Sequence, residues 1–151
     1  MTSVRLRLEL PLVLGCFFLS GVAGLVYETA WTQQFAFVFG ASEPAIAAVL
    51  AAYMAGLTLG ALFGGRWSAR VRRPVLAYAL LEAGVALSAL LVPRAVVAAA
   101  ALQESLFGGR MAPPESSGAV ALFHWATAFL VLGVPTLLMG ATLPILVRQL
   151  V

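Results

Sequence analysis

Lysine and aspartate are absent from this sequence of 151 residues; all nine cations are Arg and all six anions are Glu. No aspartate can therefore serve as nucleophile, base, metal ligand or ribose clamp. No lysine can form a Schiff base or hold a phosphate. The single cysteine, Cys16, permits no internal disulfide, and the single histidine, His124, cannot assemble a zinc site. Charged residues make up 10% of the chain, against about 25% in soluble globular proteins. These absences exclude most active-site chemistry, so no catalytic residue, cofactor or metal ligand is assigned and the chain is not read as an enzyme.

What is present is apolar surface. Hydrophobic residues account for 62% of the sequence and the mean hydropathy is +1.02. Four stretches reach the ~20 mainly apolar residues that a hydrocarbon core demands. They run from Leu10 to Tyr27, from Pro44 to Gly65, from Pro74 to Val92 and from Gly118 to Val147. Glu82 and His124 are the only acidic, basic or imidazole side chains within them. The runs lack strand alternation, and backbone in lipid must satisfy its own hydrogen bonds, so they are helices. The expectation is one all-α integral membrane domain over residues 1–151, with four transmembrane helices.

Three connections complete this reading. Residues 28–42, with Trp31 and the apolar patch Phe35–Phe39, either lengthen the first helix or lie along the interface. Residues 95–107 make a short interfacial helix beyond Pro93. Residues 108–117, with Gly108-Gly109, Pro113-Pro114 and Ser116-Ser117, form an exposed loop. Arg5 and Arg7 ahead of Leu10–Leu19 resemble a signal peptide, but the apolar run continues through Tyr27, so the segment is read as a retained span.

The arginines give the orientation. Arg5, Arg7, Arg148 and the crowded link Arg66, Arg70, Arg72 and Arg73 fall on one side, with Glu28, Glu43, Glu104 and Glu115 on the other, where only Arg94 and Arg110 are positive. By the positive-inside bias both termini and the link are cytoplasmic. The surplus of +3 is thus a topology signal, with no nucleic-acid partner. The partners are the lipid bilayer and other transmembrane helices.

Helices in lipid associate by close backbone approach. Ala48, Ala52, Gly56, Gly60 and Gly64 recur at every fourth position, a packing face whose partner the sequence does not reveal. Pro135 and Pro144 in the fourth helix predict a tilt or kink.

Intramembrane ionisable groups are costly and mark candidate functional sites. Glu82 stands about 12 Å from Pro74 along its helix, near the midplane. Glu28, 18 residues past Leu10 and so about 27 Å across, falls close to the outer boundary, and His124 is expected at the interface beside Trp125.

Three blocks carry a family resemblance: Ser20-Gly21-Val22-Ala23-Gly24-Leu25-Val26-Tyr27-Glu28 with Trp31, Ala51-Ala52-Tyr53-Met54-Ala55-Gly56-Leu57-Thr58-Leu59-Gly60, and Leu138-Met139-Gly140-Ala141-Thr142-Leu143-Pro144. Together they resemble the N-terminal membrane region of the bacterial fused major-facilitator/spermidine synthase-like proteins, over nearly the whole chain. The link Gly65–Arg73 is similar to the major-facilitator loop between its second and third helices, but Ala69 stands where that loop carries an acid. The resemblance implies part of a major-facilitator-type bundle in a bacterial cytoplasmic (inner) membrane. It also implies a soluble aminopropyltransferase-like domain of Rossmann type, for which this chain has neither the acids nor the glycine-rich turn. Polyamine chemistry would then belong to a further C-terminal region or another chain. Three expectations follow: an anchor and scaffold domain of such a protein, part of a transporter, or a small accessory subunit of a larger membrane complex.

Overall fold

A computed structural model describes residues 2–40, 42–107 and 118–148, with side chains from Pro11 onward. The expected exposed loop 108–117, with Arg110 and Glu115, lies outside the described residues. So do the side chains of Arg5 and Arg7.

The described residues fold into four helices: α1 (Thr2–Phe39), α2 (Glu43–Ser68), α3 (Pro74–Phe107) and α4 (Gly118–Val147). All four are long and apolar enough to cross a membrane. The shortest, α2, has 26 residues and reaches about 39 Å, beyond a ~30 Å hydrocarbon core.

The turns are legible in local chemistry. Gly40 takes φ 94°, the left-handed conformation that ends a helix at low cost only in glycine. Ser42 then caps α2: its Oγ accepts from the Ala45 N–H at 3.4 Å, and Pro44 follows within the first turn, where its missing N–H costs nothing. At the other end of α2 the Arg148 guanidinium donates to the Ser68 carbonyl. A cation there satisfies a terminal acceptor and the negative end of the helix dipole. That contact brings the end of α4 beside the arginine link.

Two elements are decided by packing. First, of the two courses open to residues 28–42, lengthening of the first helix is the one seen, with residues 28–39 continuing α1. Trp31, Phe35 and Phe39 fall on one helical face and are 2%, 3% and 7% exposed, so packing outweighs the mixed composition of the segment. Secondly, Pro93 does not separate a short interfacial helix over 95–107: α3 runs through it to Phe107. Val92 and Val96 on either side are buried, and their packing holds the helix where proline removes one backbone hydrogen bond. Pro135 and Pro144 likewise lie inside a continuous α4.

The glycine face of α2 finds its partner in α4. Ala48, Ala52, Gly56, Gly60 and Gly64 are all buried, and the facing residues are Thr136, Leu137, Gly140 and Ala141. A Cβ added at Gly56 would stand 2.7 Å from the Thr136 Cβ, at Gly60 3.0 Å from the Gly140 Cα, and at Gly64 2.8 Å from the Ala141 Cα. The approach is reciprocal, since a Cβ at Gly140 would meet the Leu57 Cα at 2.9 Å. Only glycine permits this backbone separation.

The first helix is held differently. Its buried hydrophobic residues are Trp31, Phe35 and Phe39, all in its second half, joined to Val49, Tyr53, Val92, Val96 and Leu132 in one cluster. Tyr27 stacks on Trp31 at 5.2 Å between ring centroids, and Trp31 meets Tyr53 at 6.4 Å. The described part of the first half of α1 stands away from the bundle, with Leu12, Phe18 and Leu19 each about two-thirds exposed. Two cavities open beneath it.

Candidate functional site

The two cavities share one side chain. Ser20 lines a space of about 400 Å³ between α1, α2 and α4, and also one of about 600 Å³ bounded chiefly by α1 and α3. The larger holds Glu82, Tyr78 and Cys16; the smaller holds Glu28, Tyr53 and Thr142. Each cavity therefore contains one carboxylate.

Glu82 is half-buried and faces α1. Ser20 Oγ donates to its Oε1 at 2.6 Å, a short charge-assisted geometry when the acid is ionised. Tyr78 stands one helical turn before Glu82, so the two side chains share a face, and the phenol interacts with the carboxylate and with Ser20. Ser20 and Tyr78 escape sequence reasoning as site residues because each is ordinary alone. The four-residue spacing of Tyr78 and Glu82 was the available signal.

The α1 helix continues past Tyr27 to Phe39, so Glu28 is eleven residues, or about 16 Å, from the helix end. It is half-buried, and its backbone carbonyl accepts from Thr32 Oγ1 at 2.8 Å. The neutral Tyr53 phenol on α2 lies within electrostatic reach of Glu28, but its hydroxyl donates to the Gly24 carbonyl at 3.0 Å. Among the described residues no hydrogen bond or ion pair engages the Glu28 carboxylate.

His124 is brought to neither cavity. It is 8% exposed, its Nε2 lies 3.3 Å from Gln103 Oε1, and its ring packs 5.0 Å from that of Phe39. The residue expected at the interface is thus enclosed where the ends of α1 and α3 meet the start of α4. Arg66, Arg70, Arg72 and Arg73 are exposed at the opposite end of the bundle, and none of them lines either cavity. Among the described residues no group of three or more His, Cys, Asp or Glu side chains is placed to hold a metal ion.

The three sequence blocks that carry the family resemblance converge on the smaller cavity. Ser20, Gly24 and Glu28 come from the first, Tyr53, Met54 and Leu57 from the second, and Met139, Gly140, Thr142 and Leu143 from the third. Comparison of the chain with protein-family models, with curated proteins and with solved structures returned no match.

Proposed function

We propose that this chain is the membrane-embedded module of a spermidine synthase-like membrane protein, acting as anchor and scaffold while any transferase chemistry is carried by residues outside it. The single observation that carries this reading is the meeting of the three resemblance blocks around one cavity and along the α2–α4 seam. Residues separated by more than a hundred positions in sequence shape one interior, as expected of a domain whose signature is its packing. In this reading the arginine link and both termini face the cytoplasm of a bacterial inner membrane, and the exposed flank of α1 is available to further helices.

The test is the native polypeptide. A membrane fraction resistant to carbonate extraction should contain this sequence in a chain larger than 15.8 kDa, from which protease frees a folded soluble fragment. A native chain of 15.8 kDa that co-purifies with a larger complex would replace the anchor with an accessory subunit.

A second reading, part of a transporter, is favoured by Glu28 and Glu82 standing in adjoining cavities between helices long and apolar enough to cross a membrane. Glu82→Gln should then abolish substrate uptake in proteoliposomes. Unchanged uptake would remove Glu82 from the mechanism.

A further inference from the structure

We infer that the smaller cavity binds a monovalent organic cation with an apolar body, held by the Glu28 carboxylate. The inference stands on three features of the site and does not depend on the anchor reading.

The first is charge. Glu28 lies three helical turns inside the end of α1, and no described cation or hydrogen-bond donor engages its carboxylate. A carboxylate set in a largely apolar lining favours a cationic partner, because such walls offer little solvation of their own. The arginines of the link lie at the far end of the bundle, and Arg94 is exposed on α3, a helix that does not line this cavity.

The second is the wall chemistry. Phe17 and Tyr53 offer aromatic faces, and Met54 and Met139 offer polarizable thioethers. Aromatic faces attract cations through their quadrupole, and methionine adapts to irregular apolar shapes. The Tyr53 ring is fixed by its hydroxyl bond to Gly24 and by Trp31 behind it, so it is a preorganised wall. A bare metal ion does not suit this lining, which supplies one carboxylate and few other oxygens.

The third is size and charge number. A volume of about 400 Å³ lies within the range of small-molecule sites. Glu28 is the one acidic residue that lines it; Glu82 lines the neighbouring cavity and is already engaged by Ser20. The ligand therefore carries one positive charge on an otherwise apolar frame.

Benzyltrimethylammonium is a probe of this class, and neopentylbenzene is its neutral isostere. Binding is measured by equilibrium dialysis of labelled benzyltrimethylammonium against the purified full chain in detergent micelles. Saturable binding is expected, weakened about tenfold or more by Glu28→Gln and unaltered by Glu104→Gln at the exposed end of α3. Neopentylbenzene should compete far more weakly than unlabelled benzyltrimethylammonium. Absence of saturable binding, equal affinity in folded Glu28→Gln, or equal competition by the neutral isostere each overturns the proposal. The isostere comparison uses the unmodified protein, so it decides the matter even if Glu28→Gln fails to fold.

Discussion

Ser20 on α1 donates a 2.6 Å hydrogen bond to Glu82 on α3, and this bond ties down the half of α1 in which no described hydrophobic residue is buried. A second hydrogen bond between α1 and its neighbours runs from the Tyr53 hydroxyl to the Gly24 carbonyl. Ser20→Ala should therefore loosen that half. Hydrogen bonds between helices in lipid contribute about 0.6 kcal/mol on average and up to ~1.7 kcal/mol. The expected loss of stability lies in this range, read from unfolding in detergent. In a double-mutant cycle with Glu82→Ala the two effects should fall well short of additive. Full additivity would mean that the two side chains are not coupled.

The α2–α4 seam makes a sharper distinction between neighbours. Gly64→Ala places a methyl 2.8 Å from the Ala141 backbone, whereas a Cβ at Gly65 meets nothing within 4 Å. Overpacking of this kind costs about 1–3 kcal/mol, and more for Gly60→Leu. Gly65→Ala should be neutral or stabilising by up to ~1 kcal/mol, because alanine is the better helix former. Thermal melts of the two alanine variants should move in opposite directions, and equal shifts would contradict the packing described.

Trp31 anchors the other half of α1. It is 2% exposed and joins the rings of Tyr27 and Tyr53. Trp31→Ala should cost about 3–5 kcal/mol and release α1 from the bundle. Limited proteolysis within α1, silent in the unmodified protein, would report the release.

Orientation is open to direct measurement. Replacing Arg66, Arg70, Arg72 and Arg73 together with Gln removes the charge bias of the short link. A fraction of molecules should then insert with the link outside. Accessibility of a cysteine introduced at Ala69 to an impermeant maleimide distinguishes the two populations. An unaltered single topology would mean that other segments dominate insertion.

Much of this architecture is legible in the residues because lipid simplifies the problem. Four apolar runs became four helices, and the four-residue spacing of Gly56, Gly60 and Gly64 marked a buried face. What could not be read was mutual. The seam needs Gly140 and Ala141, whose own spacing carries no comparable pattern, so α4 was invisible as the partner of α2. Composition left the end of the first helix open: Tyr27 ends an uncharged run, but the buried face continues through Trp31, Phe35 and Phe39. Pro93 misled for the same reason, since its local cost is offset by the burial of Val92 and Val96. Ser20 and Tyr53 became site residues only when three distant segments closed around them.

The detached half of α1 has a consequence for access. Leu25, Met54 and Leu143 on the rim of the smaller cavity are each about half exposed or more, so the opening faces sideways, toward acyl chains instead of water. A ligand arriving there has already partitioned into the membrane and must displace a lipid tail. Its apparent affinity will therefore follow its concentration in the bilayer. Two cations with the same fit to the cavity will be ranked by how readily each enters the membrane.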